Sequence, residues 1–197
     1  MSKCSSNITE ETTPLKLKKV HKLIEYEDID LIYSISSLIE DTIKRNGIKK
    51  KFSKKSLFFC EDRKIPDISI YNYIYFIFCY LDLDISIIIL SLISINRFLE
   101  RSKDYLSKNN FYKLFIASCF LNSKQNEDCS YNYEFFASAG KINKNELIIL
   151  EKEFITTIDY KLFVNDEIYK RYYNFIKSNG DLIFKNILNF FRLKVEL

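Results

Sequence analysis

The chain has 197 residues, enough for one domain, and 47% of them are hydrophobic, so a core is available and wholesale disorder is excluded. Glycine (3) and proline (2) are too scarce for the turn-rich connections of a sandwich or barrel, so the fold class is all-α. A net charge of +4 is too small to be a nucleic-acid footprint by itself, and a single histidine disfavours histidine-based catalysis.

Residues 1–26 read as a flexible tail in which Thr13-Pro14 could open a short helix, the threonine as cap and the proline in the first turn. In residues 27–65, Leu31, Ile32, Ile35, Leu38, Ile39 and Ile43 recur at three and four, which predicts a helix over Asp28–Arg45 stopped by Gly47. A basic linker follows, with five lysines between Ile48 and Lys55; it reads as a solvated loop or a patch for phosphate or an acidic partner.

Residues 66–164 read as five helices. The first covers Ile68–Tyr80 and the second Ile85–Leu99. Their apolar runs are each too short for a bilayer, which takes roughly twenty residues, and joining them would bury Asp82 and Asp84 in hydrocarbon. No membrane span is expected, and Asp84 is placed to cap the second helix. The third covers Asn110–Leu121, with Ala117 and Ser118 small enough for close helix approach. A short fourth runs over Asn132–Ala139 and stops at Gly140. Asn143 and Glu146 form a cap-box-like N-x-x-E pair that opens the fifth. There Leu147, Leu150, Phe154 and Ile158 share one stripe, with Ile148 and Ile155 beside it. Residues 165–197 carry further helical patterns through Ile168, Tyr172, Tyr173 and Ile176, then Leu182 to Phe191.

The five cysteines lack any CxxC spacing, and His21 is the only histidine, so neither a metal site nor a cofactor is implied. Cys79 and Cys119 lie in apolar stretches and read as small core residues. With no signal peptide in the sequence, the expected compartment is reducing and intracellular, cytoplasm and/or nucleus.

Several stretches together resemble one family. Pro66-Asp67-Ile68-Ser69-Ile70-Tyr71-Asn72-Tyr73-Ile74 is similar to the P-x-I-S-I-x-x-Y-L opening of the cyclin box in PHO80-like (P/U-type) cyclins. Ile95-Asn96-Arg97-Phe98-Leu99 resembles I-D-R-F/L, and Asn122-Ser123-Lys124 resembles the A-S-K that ends the third helix. Tyr131-Asn132 resembles Y-N-N, and Ala139-Gly140-Lys141-Ile142 resembles V-G-G-I-S. Asn145-Glu146-Leu147 with Leu150-Glu151-Lys152-Glu153-Phe154 resembles E-L-N-x-L-E-x-E-F-L, and Asp159-Tyr160-Lys161-Leu162 the closing D-F-x-L.

The resemblance implies a five-helix cyclin box with extra N-terminal and C-terminal helices. It implies a regulatory subunit of a cyclin-dependent serine/threonine kinase, with no catalytic residues and no small-molecule substrate of its own. It carries the family's polar contact pair onto Lys124 and Glu151, both expected to be largely exposed. The expected apolar groove is Phe120, Leu121, Ile155, Tyr160 and Leu162. Thr13-Pro14-Leu15-Lys16 fits the T-P-x-K pattern such kinases phosphorylate, which makes Thr13 a phosphorylation candidate. Where the family has arginine this chain has Phe76, and where it has aspartate, Asn96. The resemblance implies an ion pair there that this chain has lost from both sides, since one buried charge left alone would be costly. Gln125 and Asn122 also depart from the pattern and bear on the contact surface. Two alternatives stand beside this reading: a cyclin-fold nucleic-acid-binding protein, motivated by the lysine run, and a scaffold that binds a kinase without activating it.

Overall fold

The computed structural model describes residues 25–49, 56–61, 65–126 and 132–179. Thr13 and the predicted short helix lie outside the described residues, as do the basic stretch 50–55 and the apolar pattern from Leu182 to Phe191. The described residues form seven helices, with no strand among them.

Helix α1 (Tyr26–Lys49) opens with Glu27 and Asp28, whose charge suits the positive end of the helix dipole. Leu31, Ile32, Ile35, Leu38 and Ile39 are buried, as the periodicity predicts. Gly47 does not stop the helix. A Cβ there would meet nothing within 4 Å, so neither packing nor a turn requires glycine at this place.

Helix α2 (Ile70–Tyr80) starts two residues later than predicted because the Ser69 side chain accepts from the Asn72 amide at 3.1 Å. Asp82, at φ 53, makes the turn, and the Asp84 carboxylate accepts from the Ser86 amide at 2.9 Å, capping α3 (Ile85–Ser102) as expected. That helix runs past Leu99 until Lys103 turns left-handed at φ 57.

Helix α4 (Lys108–Asn126) is longer at both ends than its apolar pattern and is the central helix, packed on α3 and α6. Ala117, Ser118 and Cys119 have no exposed surface. Ser118 Oγ donates to the Ser91 carbonyl at 2.9 Å, and Asn122 Nδ2 donates to Ser94 Oγ at 3.1 Å, so a polar seam joins α4 to α3. Helix α5 (Tyr133–Ala139) is capped by Asn132 and ends at Gly140. A Cβ at Gly140 would lie 2.8 Å from Ile116 Cγ1, so α4 approaches too closely for any other residue.

Helix α6 (Lys144–Thr157) is capped by Asn143, which accepts from the Glu146 amide at 2.7 Å. The Glu146 carboxylate meets Lys113 Nζ of α4 at 2.9 Å, tying the two helices together. The stripe Leu147, Leu150, Phe154 and Ile158 is buried, but the adjacent Ile148 is 40% exposed. Helix α7 (Asp166–Asn179) buries Tyr172 and Ile176. It braces α1 through Glu27, which accepts from Tyr173 Oη at 2.6 Å and Lys177 Nζ at 2.8 Å. Helices α2–α6 are thus the five of the predicted box, with α1 and α7 packed around them.

The segment 56–61 of the irregular linker is anchored to the helices, while the lysine run read as a solvated loop or patch lies largely outside the described residues. Phe58 is wholly buried, with its ring 4.9 Å from Phe98 and 6.0 Å from Phe154. The Cys60 amide donates to the Asn109 carbonyl at 2.7 Å, and Asn109 Nδ2 returns a bond to the Cys60 carbonyl at 2.8 Å. Cys119 is a core residue, whereas Cys79 is only half-buried. No helix of the described residues is long and apolar enough to cross a membrane.

Candidate functional site

Three helices converge at the C-terminal end of α4. Lys124 lies in its last turn, Tyr133 opens α5 and Glu151 lies in the middle of α6. Lys124 Nζ donates to Glu151 Oε1 at 2.7 Å, and Tyr133 Oη donates to Glu151 Oε2 at 2.5 Å. Lys124 Nζ also lies 3.4 Å from Tyr133 Oη, so the three groups form a closed ring. The two residues carried over from the family pattern, 27 positions apart, therefore meet directly.

Local sequence explains the placement. The cap at Asn132 sets where α5 begins and the cap at Asn143 sets the phase of α6. The buried Leu147–Leu150–Phe154 stripe then turns Glu151 to the edge of the core. Beneath the ring, Phe120 is fully buried, its centroid 4.6 Å from Tyr133 and 5.0 Å from Phe136. Lys124 Nζ sits 5.1 Å from the Phe120 centroid and 5.3 Å from that of Tyr133.

These contacts set the protonation states. Burial pulls the Lys124 ammonium down, but the hydrogen bond and charge of Glu151, with help from Tyr133, more than offset this and raise it. The Tyr133 hydroxyl is raised by its hydrogen bond to Glu151 and by burial. Lys124 thus remains a cation and Tyr133 a neutral donor through the physiological range.

The exposure of the site differs from expectation. The Lys124 side chain is 43% exposed, but that of Glu151 only 15%. Phe120, Leu121 and Leu162 are buried in the core and line no open groove in the free chain. Ile155 is half-buried, and Tyr160 is 70% exposed.

Sequence reasoning missed the support beneath Tyr160. Asp159 and Tyr160 turn left-handed at φ 56 and 59, and Arg97 Nη1 then donates to the carbonyls of Lys161 at 2.8 Å, Leu162 at 3.3 Å and Phe163 at 2.9 Å. Half-burial lowers the Arg97 guanidinium's affinity for its proton, though not enough to discharge it. This clasp presents Phe163, 74% exposed, beside Tyr160. Arg97 stands in the quoted Asn96-Arg97-Phe98 stretch, but nothing local signals partners more than sixty residues away.

The idea of a lost Phe76–Asn96 ion pair is also corrected. Phe76 faces outward and stacks on Tyr80 at 5.2 Å. Asn96 is buried and donates to Tyr172 Oη of α7 at 3.1 Å and to Glu100 Oε1 of its own helix at 3.2 Å. Asn122 is internal, so its change alters the α3–α4 seam and not the surface, whereas Gln125 is exposed. Among the described residues no group of three histidine, cysteine, aspartate or glutamate side chains could hold a metal ion.

A family model described as Cyclin matches residues 3–162. Cyclin-U2-1 of Arabidopsis thaliana is 32% identical over 170 residues, covering 81% of this chain and 76% of that protein. Cyclin-U2-2 of the same plant is 30% identical over 151 residues, covering 72% of this chain and 65% of that protein. Cyclin-P3-1 of Oryza sativa subsp. japonica is 29% identical over 133 residues, covering 68% and 54%. The match ends where the clasped turn at Tyr160–Leu162 closes the last box helix, and with the all-helical fold it establishes that the chain belongs to the cyclin family, among its PHO80-like P/U-type members.

Proposed function

We propose that the chain is the regulatory subunit of a cyclin-dependent serine/threonine kinase, which it binds and activates by holding the kinase's mobile C-helix inward. In that position the C-helix glutamate pairs with the lysine that contacts ATP, and the kinase's own residues carry out phosphoryl transfer. The chain contributes binding energy and shape, with no catalytic residue, no cofactor and no small-molecule substrate, and it works inside the cell.

The observation that supports this best is the convergence of Lys124 and Glu151 at 2.7 Å on a half-open surface that continues to Ile155 and Tyr160. An ammonium donates to carbonyls and a carboxylate accepts from amides, so such a pair suits a partner whose backbone groups are unpaired. The half-buried Ile155 and exposed Tyr160 supply apolar area beside it.

The test is affinity capture from native lysate, then reconstitution of the captured kinase as a recombinant protein with this chain and a serine/threonine peptide. The expected result is a cyclin-dependent kinase whose activity rises when the chain is added. Capture of no such kinase would overturn the reading, and binding without activation would replace it with the scaffold role.

A further inference from the structure

The side of α6 turned away from Lys124 carries a second surface. Ile149 stands two positions before Glu151, about 160° around the helix, so it belongs neither to the rim nor to the buried stripe. It is 54% exposed and, with the 50% exposed Leu57, lines a cavity of about 760 Å³ backed by the buried Leu150. A second cavity, of about 550 Å³, shares Glu146 with the first and is lined by Cys60 and Lys141. We propose that this groove, between the 56–61 segment and the start of α6, docks an acidic peptide segment of another protein. The peptide seats one apolar side chain between Leu57 and Ile149 and meets the surrounding lysines with its carboxylates. The groove does not depend on the kinase reading.

Leu57 is held in place. Phe58 beside it is wholly buried against Phe98, Cys60 and Asn109 exchange two hydrogen bonds, and the Leu57 carbonyl accepts from Lys113 Nζ at 3.4 Å. An anchored backbone spares a partner the cost of ordering it. A single exposed leucine is ordinary, but two bulky aliphatic side chains on the lip of one groove form a slot for an apolar anchor. The charge around the slot sets the partner's sign. Lys113, Lys141 and Lys144 line the two cavities against Glu61 and Glu146, and the Glu146 carboxylate is already held by Lys113 at 2.9 Å. Lys54 and Lys55 directly precede Ser56, so the chain tethers two further ammonium groups within three residues of Leu57. Positive charge thus exceeds negative around an apolar slot, which favours a partner of opposite charge. A nucleic acid would bring phosphates but no aliphatic side chain to fill the slot.

A random twelve-residue peptide library on phage, selected against the whole chain, tests the groove, with the most enriched peptide then synthesised carrying a fluorophore. The expected sequences hold several aspartates or glutamates around one leucine, isoleucine or phenylalanine. In fluorescence-polarisation titrations, Ile149→Asp and Leu57→Asp should each weaken binding about tenfold or more. The Lys54→Glu, Lys55→Glu pair should weaken it about threefold or more, and Lys124→Ala by less than about 1.5-fold. Added salt should weaken it further. Both apolar positions are exposed, so these variants should melt with the native chain, as checked in parallel. No enrichment, enrichment of basic or uncharged peptides, or a peptide indifferent to both aspartate variants overturns the proposal. A chain that sediments as a dimer dispersed by Ile149→Asp also overturns it, because a second copy then fills the groove. So does an oligothymidine that binds through the lysines where no peptide does. Peptide binding as expected, in a chain that activates no kinase, would establish the groove and refute only the kinase reading.

Discussion

The middle of α4 and its last turn belong to one helix but are held by different physics. At Ala117 and Ser118 nothing is exposed, and neighbouring backbone approaches closely enough for Ser118 Oγ to reach the Ser91 carbonyl at 2.9 Å. Volume decides there, because a close-packed interior has no room to relax. At Lys124 the side chain is 43% exposed and is fixed by a carboxylate and a hydroxyl. Partly solvated ion pairs of this kind contribute little to folding. The centre of the helix therefore governs whether the chain folds, and its end governs what the folded chain can hold.

That contrast breaks most visibly at the core. Phe154 is wholly buried, its ring 4.9 Å from Phe98, so Phe154→Ala should lower stability by about 3–5 kcal/mol in urea unfolding. A loss below about 1 kcal/mol would mean that the aromatic cluster is not the structural centre. Ser118→Leu should overpack the α3–α4 seam and cost about 1–3 kcal/mol by the same measurement. A variant as stable as the native chain would show the seam to be loose.

Alkaline pH separates buried hydroxyls from rim hydroxyls. Burial pushes the Tyr172 phenol up to about 12, only partly offset by its bond from Asn96, against 10.0 in an unfolded chain. The folded chain keeps a proton that the unfolded chain releases, so stability is intact below pH 10 and falls as pH rises from 10 to 12. Tyr172→Phe should flatten much of that decline, leaving the part due to buried Tyr73, whose hydroxyl burial also raises. An identical alkaline decline in Tyr172→Phe would contradict the assignment.

The smallest effect is expected at Arg97. Lysine cannot hold three successive carbonyls as a guanidinium does. Arg97→Lys should cost about 1–2 kcal/mol and speed amide exchange in the Asp159–Phe163 turn. Unchanged exchange there would show that the turn holds itself.

Legibility in the sequence followed the range of each interaction. Caps at Asp84 and Asn143 and the buried stripe of α6 act within one helix, and all were readable from local spacing. The C-terminal end of α4 was not, because its buried polar residues Asn122 and Ser123 interrupt the apolar pattern while the helix continues. Phe58 hides beside lysines in a segment whose average is polar, yet one aromatic ring suffices to anchor it. The placement of Lys124 and Glu151 came from motif order. Their mutual contact, the hydroxyl of Tyr133 and the Arg97 clasp are products of tertiary packing that no local pattern encodes.

The central claim is that this rim binds a kinase and does not hold the fold together. The direct measurement is the affinity of the Lys124→Ala, Glu151→Ala double variant for the cyclin-dependent kinase, with its melting temperature measured in parallel. The account predicts a folded protein that melts within a few degrees of the native chain and binds about ten- to a hundredfold more weakly, as lost charge-assisted hydrogen bonds require. A folded double variant that binds and activates the kinase at the native affinity would contradict it.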